Sequence, residues 1–261
     1  MSTAGNTKDL SGRVALVTGA SSGIGRATAA LLAERGARVM AVARSEARLT
    51  ELAREACLET LALSLETAEA CERVMEETHR RLGPVAILVN NAGRGGFLDL
   101  PIWEEERENW RATLALNLDT PFELTRLAAR DMKETGWGRV IMVSSTAGEV
   151  GAPAMSAYCA SKHGLLGLMR AAAQDLARIG ATCNAVLPGW VRTEMAEQDA
   201  VRESQRRGVS VAQVWAEREA SYPGGKVLEP EDIARVIAFL ASDDAAAVNA
   251  EAVTVSHGSL W

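Results

Sequence analysis

The stretch "TGASSGIG", Thr18–Gly25, decides how this chain folds. It follows the apolar run "RVALV" (13–17) and opens an amphipathic segment that continues to Arg35. Glycines stand at 19, 23 and 25, a G-x3-G-x-G spacing. Glycine accepts backbone angles and close approaches that a Cβ forbids, so the spacing suits a sharp turn from a buried strand into a helix. The first N–H groups of such a helix have no partner inside it and can meet a phosphate. The turn predicts a doubly wound α/β fold with a dinucleotide phosphate site at Gly19, Ser21, Ser22, Gly23, Ile24 and Gly25. A purely structural turn has the same look, so the rest of the chain has to separate the two.

The pattern repeats. "ARVMAVA" (37–43), "TLALSL" (60–65), "VAILVN" (85–90), "RVIMVSS" (139–145), "TCNAVLP" (182–188) and "AVTV" (252–255) read as strands. Helical periodicity covers about Gly23–Arg35, a segment from about Glu46, Thr67–Leu82, roughly Glu106–Lys133, about Met155–Ile179, and a last helix entered at Pro230/Glu231. Apolar strands alternating with helices belong to a parallel sheet covered on both faces. Right-handed crossovers make it a Rossmann fold, here with a seven-stranded parallel sheet. No linker, repeat or low-complexity tract interrupts it, so residues 1–261 read as one domain. The polar stretch 194–225 has helical character and reads as an inserted substrate lid.

Composition excludes several function classes. The net charge is −6 and Lys/Arg are dispersed, which argues against a nucleic-acid or membrane-surface partner. No apolar run reaches the length of a membrane span, and "MSTAGNTKDLSGR" (1–13) lacks the apolar core of a secretory signal. Cys57, Cys71, Cys159 and Cys183 show no paired or metal-binding spacing, and the three histidines are scattered. Reduced thiols, a cytoplasmic location and no metal site are the expectation.

The end of the second strand, "AVARSE" (41–46), bears on the cofactor. A site for NAD wants a carboxylate here to accept from the ribose 2′-OH. Ala43 stands in that place and Arg44 follows. A guanidinium grips a 2′-phosphate in its fork, whereas a carboxylate repels it. NADP(H) is therefore favoured, with NAD(H) the alternative through Glu46.

In "SAYCASKHG" (156–164), Tyr158 and Lys162 lie four apart and share a helix face. Together with "NNAG" (90–93), "LALNLDTPF" (114–122), "GRVIMVSSTAG" (138–148) and "LPGWVRT" (187–193), the turn and this pair resemble the short-chain dehydrogenase/reductase family. The resemblance runs from about Leu10 to about Ser256. It implies a catalytic tetrad of Asn117, Ser145, Tyr158 and Lys162, and usually a homotetramer or homodimer. In that scheme hydride adds to a substrate carbonyl, Ser145 hydrogen-bonds the oxygen and Tyr158 supplies the proton. Lys162 would lower the tyrosine pKa and bind the nicotinamide ribose, and Asn117 would hold a relay water. The resemblance also implies cofactor contacts from Ser64, Leu65, Asn90, Asn91, Ala92, Gly93, Tyr158 and Lys162. On the nicotinamide side it implies Pro188, Gly189, Val191 and Thr193. Ser144 is the runner-up to Ser145, but strand alternation points it the other way.

The chain departs from the family's usual pattern at Ser64 and Ala86, where aspartates are common, and at "SHGS" (256–259), where a Gly-Gly pair is usual. The substrate is less legible. Parts resemble 3-hydroxybutyrate dehydrogenases, yet Ala147 stands where those use a polar residue. Other parts resemble β-ketoacyl reductases, with Arg130 at one arginine position of carrier-protein binders and Gln174 at another. Arg94 is next to the site. Ser145, Ala147, Tyr158, Trp190 and Met195 are expected against the substrate, with Trp215 as a further pocket wall. The leading expectation is an NADPH-dependent reductase of a small ketone. An NAD-dependent alcohol, 3-hydroxyacid or hydroxysteroid dehydrogenase is the second. A non-catalytic dinucleotide-binding regulator is the third, and an intact Tyr158/Lys162 pair argues against it.

Overall fold

In a computed structural model, residues 9–96 and 100–259 are described. The N-terminal residues 1–8, part of the polar stretch read above, lie outside them, as do both ends of the expected 1–261 domain.

The chain alternates strand and helix. In order come β1 (Val14–Thr18), α1 (Gly23–Glu34), β2 (Arg38–Ala43), α2 (Glu46–Glu55), β3 (Glu59–Ala62), α3 (Ala68–Arg81) and β4 (Ile87–Asn90). Then follow α4 (Arg107–Leu114), α5 (Thr120–Thr135), β5 (Gly138–Val143), α6 (Ser156–Ala177) and β6 (Ala181–Pro188). The last elements are α7 (Glu194–Arg207), α8 (Val211–Ala220), α9 (Pro230–Leu240) and β7 (Ala252–Val255). The strands form one parallel sheet in the order β3-β2-β1-β4-β5-β6-β7. This is the Rossmann arrangement, and the order reverses between β1 and β4, where such sheets bind ligands.

Strand alternation builds two cores. Ala15 and Val17 of β1 and Val39 and Ala41 of β2 face Leu32, Leu49, Leu52 and Ile237 of α1, α2 and α9. Leu16, Met40 and Leu88 face the other way, onto Val74, Leu124, Met132, Leu165 and Met169 of α3, α5 and α6. Burial on both faces is why these strands are apolar throughout.

The long helix expected over 106–133 is interrupted. A π-helical turn, Ala115–Asp119, separates α4 from α5. Pro121 has no N–H to give the carbonyl four residues back, which belongs to Asn117, so the α-helical ladder breaks there. In the 194–225 region the helical character resolves into two capped helices. Thr193 caps α7 and Ser210 caps α8, and Gly208 ends α7 in the left-handed conformation. Ala196, Ala200, Val214, Trp215, Tyr222 and Val227 form a small core of their own beneath it. No helix among the described residues is long and apolar enough to cross a membrane.

Candidate active site

A cavity of about 790 Å³ runs along the carboxyl ends of the central strands. Its first wall is the turn after β1. Gly19 and Gly23 have φ of +67° and +51°, in the left-handed region. A Cβ on Gly25 would sit 2.3 Å from the Gly19 carbonyl oxygen, and one on Gly19 would sit 2.7 Å from Asn91 Nδ2. The turn is thus packed from behind with no room for side chains, which leaves bare backbone toward the cavity. Gly19, Ser21, Ser22, Gly23, Ile24 and Gly25 all line it.

Asn91 and Thr18 fasten this turn to the end of β4. Thr18 Oγ1 accepts from the Asn91 and Ala92 backbone N–H groups at 3.0 and 2.9 Å. Asn91 Nδ2 donates back to the Thr18 carbonyl at 2.8 Å. Asn91, Ala92 and Gly93 line the cavity, but Asn90 does not. Its side chain points into the core and donates to Thr125 Oγ1 at 3.2 Å, because neighbouring residues of a strand face opposite sides. Arg44, Ser64 and Leu65 form the far end, with Ser64 just past β3. Arg44 is exposed, with no carboxylate within ion-pair distance among the described residues, and Glu46 does not line the cavity. Bare backbone at a helix N-terminus and an unopposed guanidinium fit a dinucleotide pyrophosphate and a 2′-phosphate respectively.

At the other end Ser145, Ala147, Tyr158 and Lys162 meet Pro188, Gly189, Trp190, Val191, Thr193 and Met195. Ser145 hydrogen-bonds the Tyr158 hydroxyl, and its Oγ also accepts from Ala147 N at 3.1 Å. Ser144 also borders the cavity, but it is buried and its hydroxyl donates to the Lys162 carbonyl at 3.2 Å. Lys162 is buried, donates from Nζ to the Val143 carbonyl at 2.8 Å and stands 5.6 Å from the Tyr158 ring centroid. Burial lowers its pKa to about 8. Tyr158 keeps some surface along the cavity, yet it lies deep enough that burial pushes its pKa up to about 12, only partly opposed by the Ser145 hydrogen bond. Desolvation is the largest of the influences on the phenol, and the expected lowering by Lys162 does not figure among them.

Two further residues of the expected site lie off the cavity lining. Asn117 is buried and does not line the cavity. Its Oδ1 accepts from Arg94 N, and its Nδ2 donates to Arg94 O and Ser161 Oγ, at 2.9, 2.9 and 3.1 Å. Its amide braces the strand exit. Trp215 is not a pocket wall either. It is buried in the lid core and donates to Glu197 Oε2 at 2.7 Å, because α8 packs behind α7. Arg218 stacks between the two tryptophans, 3.6 Å from the Trp190 centroid and 5.1 Å from that of Trp215. His163 is spent locally, on the Cys159 carbonyl at 2.9 Å.

The sequence reading missed Arg48, Glu194, Gln198, Asp199, Arg202 and Tyr222, which also line the cavity. Tyr222 accepts from Trp190 N, and a Cβ on Gly189 would collide with its hydroxyl, which explains glycine there. Nothing in the local sequence signals a contact across 32 residues.

A family model described as short chain dehydrogenase matches residues 13–204. The chain belongs to the short-chain dehydrogenase family. It is an oxidoreductase of the CH–OH/carbonyl pair that uses a nicotinamide dinucleotide. It is 34% identical over 260 residues to D-beta-hydroxybutyrate dehydrogenase of Cupriavidus necator, covering 97% of this chain and 96% of that one. It is 37% identical over 249 residues to the 3-oxoacyl-(acyl-carrier-protein) reductase of Escherichia coli, covering 95% and 97%. Among solved structures, a variant of actinorhodin polyketide ketoreductase with NADPH superposes with a TM-score of 0.90 at 36% identity, covering 95% and 97%. This short-chain dehydrogenase shows no cluster of three or more metal-ligating side chains among its described residues.

Proposed function

We propose that the protein is an NADPH-dependent carbonyl reductase that converts a ketone, of β-ketoacyl or related type, to a secondary alcohol. The observation that carries the reading is the hydrogen-bonded Ser145/Tyr158 pair in a cavity whose far end presents Arg44. The relatives named for ketoacyl reduction and the neighbour solved with NADPH support it. The nicotinamide ring supplies the hydride when bound. Ser145 Oγ and the Tyr158 hydroxyl donate to the carbonyl oxygen and stabilise its developing charge. Tyr158 then releases its proton to that oxygen. Lys162 steadies the phenolate that remains, with two ammonium hydrogens left for ribose hydroxyls beyond the one given to Val143. Asn117 acts as a positioning residue, holding Arg94 and, through Ser161, the Tyr158 carbonyl.

The helices α7 and α8 serve as the substrate lid, with Trp190 and Met195 against the substrate and Thr193 toward the carboxamide. A homotetramer or homodimer and a cytoplasmic location belong to the same reading. Exposed Phe122 on α5 supports an apolar contact between subunits. The hydroxybutyrate dehydrogenase relative favours a second reading, an NAD-dependent 3-hydroxyacid dehydrogenase. Apolar Ala147, and the absence among the described residues of a carboxylate paired with Arg44, weigh against it.

A panel of ketones and secondary alcohols, followed by reduced-cofactor absorbance, tests the reaction. NADPH should be used in preference to NADH, and Arg44→Ala should lower NADPH affinity about tenfold or more while sparing NADH. Equal use of both cofactors, unmoved by Arg44→Ala, rejects the NADPH reading.

A further inference from the structure

Arg48 stands in the first turn of α2, four residues beyond Arg44, and both line the cavity. Its guanidinium is not free. Nη1 and Nη2 grip the two carboxylate oxygens of Glu194, Nη2 at 3.1 Å. The partners are 146 residues apart in sequence, so the pair ties α2 to the first residue of α7. Thr193, the adjacent cap, lies against the phosphate turn, where a Cβ on Gly23 would meet its methyl group at 2.9 Å. The nearby Arg26 and Arg192 are held elsewhere, by Glu55 and Glu219.

We propose that Arg48 is shared between Glu194 and the cofactor's 2′-phosphate, so that Glu194 competes with the phosphate and sets the strength of the preference for NADPH. The inference rests on the NADPH reading for its ligand. The Nη1/Nη2 edge that grips Glu194 fits one carboxylate or one phosphate edge at a time. Arg48 and Glu194 are 47% and 46% exposed, and a pair so open to solvent is weak enough to exchange. A phosphate carries more negative charge than a carboxylate and draws Arg48 over. Glu194 is then left facing an anion, which loosens α7 from α2. A cofactor with a bare 2′-OH offers no such exchange and leaves the pair closed.

The test uses 2′-phosphoadenosine 5′-phosphate and AMP as probes, with calorimetric affinities for the wild type, Glu194→Gln, Arg48→Gln and Arg44→Ala. Glu194→Gln should raise affinity for the 2′-phosphorylated probe by about two- to fivefold and leave AMP unchanged. Arg48→Gln should weaken the phosphorylated probe alone, by roughly five- to tenfold. Adding Glu194→Gln to Arg48→Gln should give a smaller gain than in the wild type. An unchanged ratio of the two affinities in either single variant overturns the proposal. If Arg44→Ala still removes the preference, only this inference falls. If the wild type shows no preference, the NADPH reading falls with it.

Discussion

Tyr158 and Lys162 are adjacent on one helix face, and burial moves their pKa values in opposite directions for one reason: each loses its charged form to desolvation. A phenol pushed up to about 12 keeps its proton through neutral pH, as a donor must. The rate of ketone reduction should stay level through the neutral range. Alcohol oxidation, which needs the phenolate, should climb with pH, and initial rates in both directions check this. Tyr158→Phe should cut turnover at least a hundredfold with cofactor affinity kept. Lys162 has a lowered value, so between about 8 and 10.5 the unfolded chain holds a proton that the folded chain has shed, and stability rises with pH across that window. Lys162→Met should therefore stabilise the fold at neutral pH by roughly 1–3 kcal/mol while abolishing turnover, and urea unfolding should show the gap closing toward pH 10.5. Spacing alone placed the tyrosine and lysine on one helix face, and the family resemblance made them a pair. Their pKa directions were not legible, since depth in the protein is not written at positions 158 and 162.

At the scale of elements, the glycine turn and the lid behave differently. In the turn, Gly25 abuts backbone: a Cβ there would lie 2.3 Å from the Gly19 carbonyl oxygen and 2.4 Å from Asn91 Nδ2. Gly25→Ala should weaken dinucleotide binding about tenfold or more and destabilise the protein by about 1–3 kcal/mol, read by titration and thermal melting. In the lid, buried Arg218 bonds Asp199 at 2.6 Å and Glu203 at 2.8 Å, between Trp190 and Trp215. Arg218→Met removes the charge that both carboxylates face. Limited proteolysis should then cut faster within 194–220, with the unfolding midpoint of the sheet little changed. The glycine spacing announced its turn because the constraint is local. The lid's tryptophan–arginine stack joins residues 190, 215 and 218, which no single window of sequence unites.

Across the described residues, one seven-stranded sheet carries every strand, and cores on both faces run its length. Cooperative unfolding in a single calorimetric transition is the expected outcome for such a unit. Ligand binding to the native state alone shifts that transition. NADPH at about a hundred times its dissociation constant should add about 2.7 kcal/mol and raise the midpoint by roughly 5–10 °C. NADH at the same concentration should raise it less.

The sequence by itself determined the alternation of strands and helices, the seven-stranded sheet and the glycine turn, while the family resemblance implied the Ser145–Tyr158–Lys162 set. Each of these follows from local periodicity, glycine spacing or a short motif. Tertiary structure alone decided that Asn117 braces Arg94, that Asn90 turns into the core, that Trp215 packs inside the lid, and that Arg48 is held by Glu194. These depend on which side chains meet across tens of residues of chain, and packing geometry, not neighbouring sequence, sets such meetings.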